Sequence, residues 1–158
     1  MSEPQGATIH KLDSAGRIKL RESQRDDLPR NVVLVCGFDN CINLFVAEAW
    51  NLYCQRFARL DSLDPDVHDL KRLLVATAEV CKIDDQGRLK IPEALLRWAG
   101  LDQPPAEAQL IHLADRYEIW EVSNYNEFLS QRGRELKQIA RQLLRGESSL
   151  PQEAGSGS

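Results

Sequence analysis

Two pairs of cations, Arg17 with Lys19 and Arg88 with Lys90, stand two residues apart in closely similar surroundings. Residues at i and i+2 of an extended strand share a face, so each pair concentrates positive charge at one place. An Arg guanidinium can donate to both acceptors on the major-groove edge of guanine, while Lys suits phosphate. The chemistry open to these residues is recognition of a polyanion, with double-stranded DNA as the expected partner. Lys11 supplies a further cation just ahead of the first pair.

Each pair follows an Asp and a Gly at fixed spacing, Asp13-Ser14-Ala15-Gly16-Arg17 and Asp84-Asp85-Gln86-Gly87-Arg88. The Asp carboxylate can accept from turn amides, and Gly takes a positive φ at little steric cost. Asp13, Gly16, Asp84 and Gly87 are therefore loop-shaping residues, and the flanking alternation predicts a β-hairpin around each turn. In a single copy the Arg would read as a solvated flank of an ordinary hairpin. Two copies that both keep the Arg and the following Lys shift the balance toward binding, because turn geometry requires neither.

The copies are part of an internal duplication. Lys11 to Leu20 matches Lys82 to Ile91 at an offset of 71, with five of ten residues identical. Ile42 to Val46 matches Tyr117 to Glu121 at an offset of 75.

No enzyme is expected. The chain has no phosphate-binding Gly-rich loop, zinc-protease motif or nucleophile elbow. Asp13 and Asp84 sit beside Gly at turn spacing, which makes them turn formers rather than catalytic carboxylates. The three His residues are dispersed, with His10 on a strand edge. Cys36, Cys41, Cys54 and Cys81 form no Cys-x-x-Cys pair, so they read as small buried hydrophobes, with no metal and no cofactor. A net charge of −4 argues against non-specific nucleic-acid binding over the whole surface but permits a local basic patch. No apolar run approaches bilayer length and no signal peptide is evident, so a cytoplasmic protein without membrane contact is expected.

The remaining elements must hold the two turns. Val32–Val35 reads as a buried strand, Gly37–Asn40 as a turn and Ile42–Val46 as the returning strand. A helix follows from about Ala47 to Leu60, with Trp50, Tyr53, Cys54, Phe57 and Leu60 on one face. Asp64-Pro65 starts another, with Leu70, Leu73 and Leu74 as its apolar face. Pro92 opens a short helix that Gly100 ends. Leu110–Leu113 and Tyr117–Glu121 form the second strand pair. Asn124 and Glu127 have capping-box character and start a last helix reaching about Arg145. From Arg132 to Arg145 there are five basic residues and one acidic. A solvated face is the commoner meaning of such a run, and a second nucleic-acid surface is the alternative. The expected division is a disordered tail at 1–6, a first unit at 7–47, connecting helices at 48–75, a second unit at 76–123, a C-terminal basic amphipathic helix at 124–145 and a disordered tail at 146–158.

The doubled Asp-x-x-Gly-Arg hairpin, with Arg72-Leu73-Leu74 between the copies and Ile91-Pro92 after the second, resembles the MraZ family over about residues 7–145. The chain departs from the usual family pattern at Ala15, at Arg21 and in its start, Ser2-Glu3-Pro4-Gln5. The resemblance implies a mainly β fold with helices (α+β), a duplicated SpoVT-AbrB-type swapped-hairpin β-barrel forming an intrachain pseudo-dimer with helices outside. It also implies a homo-oligomeric ring, a location in the nucleoid, and regulation of transcription through G-rich direct repeats at the promoter of a division and cell-wall gene cluster. The alternative is a protein-interaction module, since a related fold serves antitoxins. In that case the helix faces around Trp50 and Phe57 would carry function.

Overall fold

The computed structural model describes residues 6–148. Among the described residues eight strands form two sheets. β1 (Ala7–Lys11), β7 (Glu107–His112), β8 (Tyr117–Glu121), β4 (Ile42–Phe45), β3 (Asn31–Cys36) and β5 (Glu79–Lys82) lie in that order in an antiparallel sheet. β2 (Arg17–Lys19) and β6 (Arg88–Lys90) make a separate two-stranded ribbon. The architecture is α+β and duplicated. Among the described residues the six-stranded sheet keeps two edges, β1 and β5, with no ladder between them.

The hairpin expected around each turn is not a ladder between its own arms. β1 pairs with β7 and β2 with β6, while β5 pairs with β3. In the first copy the arms share the turn bond from the Asp13 amide to the Arg17 carbonyl, 2.9 Å. The second adds a single bridge, Ile83 to Leu89. The physical reason is burial. Ile18, Leu20, Leu89 and Ile91 are all at most 3% exposed, and a lone three-residue arm has nothing of its own to cover it. Exchanging arms puts Ile18 opposite Leu89 on the covered face of the ribbon. At the other end β4 meets β8 with Asn43 opposite Glu118. Both registers pair residues that the internal repeat makes equivalent, so a local two-fold relates the copies.

Helices cover this core. α1 (Glu22–Asp27) and α4 (Glu93–Trp98) occupy equivalent places after the two ribbon strands. α4 buries Leu95 and Leu96, and Gly100 (φ +70°) follows its C-cap. α2 (Ala47–Ala58) lays Trp50, Tyr53 and Phe57 against the core, whereas Leu60 lies beyond it and is exposed. α3 (Pro65–Thr77) is capped by the Asp64 carboxylate, which accepts from the Asp66 amide at 2.9 Å. It buries Val67 and Leu74, leaves Leu73 exposed and packs Leu70 at the margin.

The described residues form two compact units that divide after Val122. The first contains both copies of the repeat. The second holds most of α5 (Val122–Arg132), then a 3-10 turn at Gly133–Glu135 and α6 (Leu136–Ser148). The single last helix expected from sequence is thus broken at Gly133, where a residue without a side chain weakens helix propagation. α5 starts at Val122, directly after β8, so Asn124 lies inside its first turn rather than capping it. α6 continues to Ser148, beyond the expected end at Arg145. The tail expected at 1–6 lies outside the described residues except Gly6, and so does the C-terminal tail from residue 149.

His10 belongs to the edge strand β1, but its side chain is buried. The Arg21 amide donates to Gln24 Oε1 (2.9 Å), and Gln24 Nε2 donates to Thr8 Oγ1 (2.8 Å). Thr8 Oγ1 lies 2.7 Å from His10 Nε2, and His10 Nδ1 lies 2.7 Å from the Lys19 carbonyl. A carbonyl only accepts, so Nδ1 carries the proton and Nε2 accepts from the threonine hydroxyl. A neutral imidazole completes this chain. Burial lowers the His10 pKa below 6.5; the bond to Lys19 opposes this and the nearby Arg21 charge adds to it. The unfolded chain therefore binds the proton first as pH falls, and stability is lost between 6.5 and the lower folded value. Urea denaturation at pH 8 and pH 5.5 will show a lower midpoint at pH 5.5, and His10→Ala will shrink that difference.

Candidate nucleic-acid interface

The two turns are built alike. Asp13 Oδ1 accepts from the amides of Ala15 and Arg17, both at 2.9 Å, and Oδ2 accepts from Arg17 Nε at 2.8 Å. Asp84 repeats the arrangement with the amides of Gln86 and Arg88 and with Arg88 Nε, all at 2.9 Å. The Gly16 and Gly87 amides donate to the carbonyls of Asp13 and Asp84. Both glycines have positive φ, 76° and 77°. The carboxyls of Asp13 and Asp84 are held below the usual carboxylate range, first by the backbone amide of the Arg and then by its guanidinium and the second turn amide. They stay ionised at neutral pH. An exposed ion pair of this kind adds little stability. Its consequence is conformational, because it fixes the guanidinium by Nε. The Nη atoms of Arg17 and Arg88 make no hydrogen bond among the described residues.

The ribbon brings the two copies' cations together. Arg17 lies opposite Lys90 and Lys19 opposite Arg88, with Ile18 and Leu89 on the buried side. Four cations therefore share one face of a short antiparallel pair. Like charges directly opposite one another oppose pairing, and the buried Ile18–Leu89 pair holds the strands against that repulsion. Each turn also anchors the other copy's strand. The Leu20 amide donates to the Gly87 carbonyl (2.8 Å) and the Ile91 amide to the Gly16 carbonyl (3.0 Å). Lys11 is placed elsewhere, at the exposed end of β1 opposite Glu107.

Three contributors were not read from the sequence. His10 holds the Lys19 carbonyl and so ties β1 to the ribbon. Arg25 Nη2 donates to the Asp85 carbonyl at 3.0 Å. Arg30 Nη2 pairs with Asp85 Oδ1 at 2.6 Å. Both arginines lie in or beside the charged segment around α1, whose composition announces exposure but no partner 55 or 60 residues away. The repeat offset offered a partial signal, since Arg25 aligns with Leu96 and both lie under a turn glycine.

A duplicated chain whose copies exchange hairpin arms, and whose joint ribbon carries a cationic face, defines a swapped-hairpin pseudo-dimer. The chain belongs to the MraZ family. The family model described as "MraZ protein, putative antitoxin-like" matches it twice, at residues 5–73 and 74–146. A protein of Enterobacter sp. strain 638 named transcriptional regulator MraZ is 33% identical over 125 residues, covering 76% of this chain and 80% of that protein. A namesake from Pediococcus pentosaceus is 30% identical over 139 residues, covering 88% and 95%. A third, from Acetivibrio thermocellus, is 28% identical over 138 residues, covering 87% and 94%.

The glycines test the turn geometry. A Cβ at Gly16 would stand 2.9 Å from Leu96 Cδ1, in the core, and one at Gly87 would stand 2.5 Å from Arg25 Cδ. A left-handed backbone costs an L-residue roughly 1–2 kcal/mol. Gly16→Ala will lower stability by at least about that much, because buried Leu96 must also move. Gly87→Ala will cost less, since Arg25 can swing aside. Urea denaturation of both variants gives the comparison, and an unchanged midpoint for Gly16→Ala would refute the assigned turn.

Proposed function

We propose that this chain is a sequence-specific DNA-binding transcriptional regulator. The observation that carries the reading is the four-cation face of the β2–β6 ribbon, formed by Arg17, Lys19, Arg88 and Lys90. The free protein keeps two like-charge cross-strand pairs there, and a polyanion relieves both. A two-stranded ribbon fits the major groove of B-DNA. The Nη atoms left by the Asp–Nε contacts are suited to the paired acceptors of guanine, and Lys19 and Lys90 to phosphate. Lys11, on another ladder, gives electrostatic support. The names of the relatives favour regulation of transcription, and with it a non-enzyme working in the cytoplasm at the nucleoid.

The target is a set of G-rich direct repeats near the promoter of a division and cell-wall gene cluster. A single ribbon offers few base contacts. A homo-oligomeric ring presents several ribbons at once, so closely spaced repeats are held by avidity. No helix among the described residues is long and apolar enough to cross a membrane.

A second reading has its own observation. Trp50, Cys54, Phe57, Leu74 and Val75 line an apolar groove of about 140 Å³ between α2 and α3. A protein partner seated there would make the chain an antitoxin-like interaction module. Loss of a co-purifying protein on substituting exposed Val75 would favour it.

Fluorescence anisotropy with a G-rich direct-repeat duplex and a scrambled one, across a salt series, tests the main reading. The repeats will bind more tightly. Arg17→Ala will weaken binding to them by about 5- to 150-fold, since a bidentate Arg–guanine contact is worth about 1–3 kcal/mol. Lys19→Ala will weaken both duplexes alike and lower the salt slope by about 0.9. Equal affinity for the two duplexes, unaltered by Arg17→Ala, would sink the reading.

A further inference from the structure

The two turns are equivalent in backbone and unequal in what surrounds them. Ser14 and Ala15 sit where the second copy has Asp85 and Gln86. The first turn lies over a small cleft of about 90 Å³ whose walls include Leu96, Leu101, Pro104 and Ala106, with Asp13 and Asp102 as its acidic residues. The second borders a cleft of about 440 Å³ lined by Glu22, Arg25, Asp26, Arg30, Asp84 and Asp85. Asp85 is engaged at both ends. Its carboxylate takes Arg30 Nη2 at 2.6 Å and its carbonyl takes Arg25 Nη2 at 3.0 Å. At the corresponding positions of the first copy stand Leu96 and Leu101, both buried.

We propose that the second turn is the weaker of the two nucleic-acid contacts, and that Asp85 makes it so by occupying an arginine that would otherwise meet phosphate. The inference rests on the DNA-binding reading above. A carboxylate at the tip of a turn that approaches DNA repels the backbone. It also neutralises Arg30, whose side chain is 68% exposed and otherwise suited to a phosphate oxygen. The first turn has an uncharged tip, Ser14-Ala15, and no arginine to neutralise, since Leu101 stands where the second turn has Arg30. The tip carboxylate is what sets the second turn below the first. The ribbon therefore has a strong end at Ser14–Arg17 and a weak end at Asp85–Arg88. A protomer built on a local two-fold then binds its site in one preferred orientation.

The same two duplexes and salt series provide the test, using Asp85→Ala, Asp85→Asn and Ser14→Asp in the full chain. Asp85→Ala will tighten binding to both duplexes several-fold and steepen the salt slope by about 0.9, the signature of one added phosphate contact. Asp85→Asn removes the charge while keeping an acceptor for Arg30, and will move affinity the same way. This guards against a change in turn structure. Ser14→Asp will weaken binding several-fold, and Arg17→Ala will cost more than Arg88→Ala. Unchanged or weaker binding by both Asp85 variants, with Arg17→Ala still damaging, would overturn the inequality and leave the DNA reading standing. Failure of the unsubstituted chain to bind either duplex would overturn both.

Discussion

The fold depends on the exchange of hairpin arms between the two copies. Neither copy can bury Ile18 or Leu89 alone, because each is the central residue of a three-residue strand. Set opposite one another, both become fully buried. The same exchange takes β1 to β7 and β5 to β3, so each half supplies an edge to the other's sheet. Burying a large aliphatic side chain contributes roughly 1.5–3 kcal/mol. That gain sets the ribbon's position, and the ribbon sets the cations.

Charge follows from this constraint. Ribbon side chains that face away from the apolar layer must lie on the opposite face, and in both copies those positions hold Arg and Lys. The crowding is made tolerable in two ways. Asp13 and Asp84 neutralise the guanidiniums locally, and solvent screens the lysines. The carboxylates are used three times over, by two turn amides and by Nε. They therefore work as templates for turn shape as well as counter-charges. The face is stiff because its backbone is held from several sides. His10 binds the Lys19 carbonyl, and the Gly16 and Gly87 carbonyls receive amides of the opposite copy.

Much of this was legible in the chain. The duplication, the two turns and the helix starts at Asp64 and Pro92 have local signatures, and local signatures survive folding. The partners of the hairpin arms have no local signature, and their exchange is implied only by the family resemblance. Asp-x-x-Gly-Arg specifies a turn, and nothing in those five residues states whether the arms meet each other or arms from 71 residues away. The break in the last helix was missed for a similar reason. One Gly costs a helix only about 1 kcal/mol, which tertiary context can override either way. His10 was expected on a strand edge. It is on one, but the alternation of β1 turns its ring inward with Thr8, a pattern visible only once the buried face is known. Arg25 and Arg30 sit in a segment that reads as solvated, and their contacts with Asp85 are purely tertiary.

The exchanged edges also govern the order in which the chain can fold. Ala7 pairs with Ile111, a separation of 104 residues. A nascent chain with only its first copy outside the ribosome has no partner for β1 and no cover for Ile18. Its first strand must wait until β7 has emerged, at an elongation rate of about 5–20 residues per second. Contacts this distant in sequence are slow to form, because the entropy of closing the intervening loop is lost before they are made. The tandem arrangement limits that delay. Two separate chains would have to find each other at cellular concentration, whereas here the second copy always follows the first on the same polypeptide.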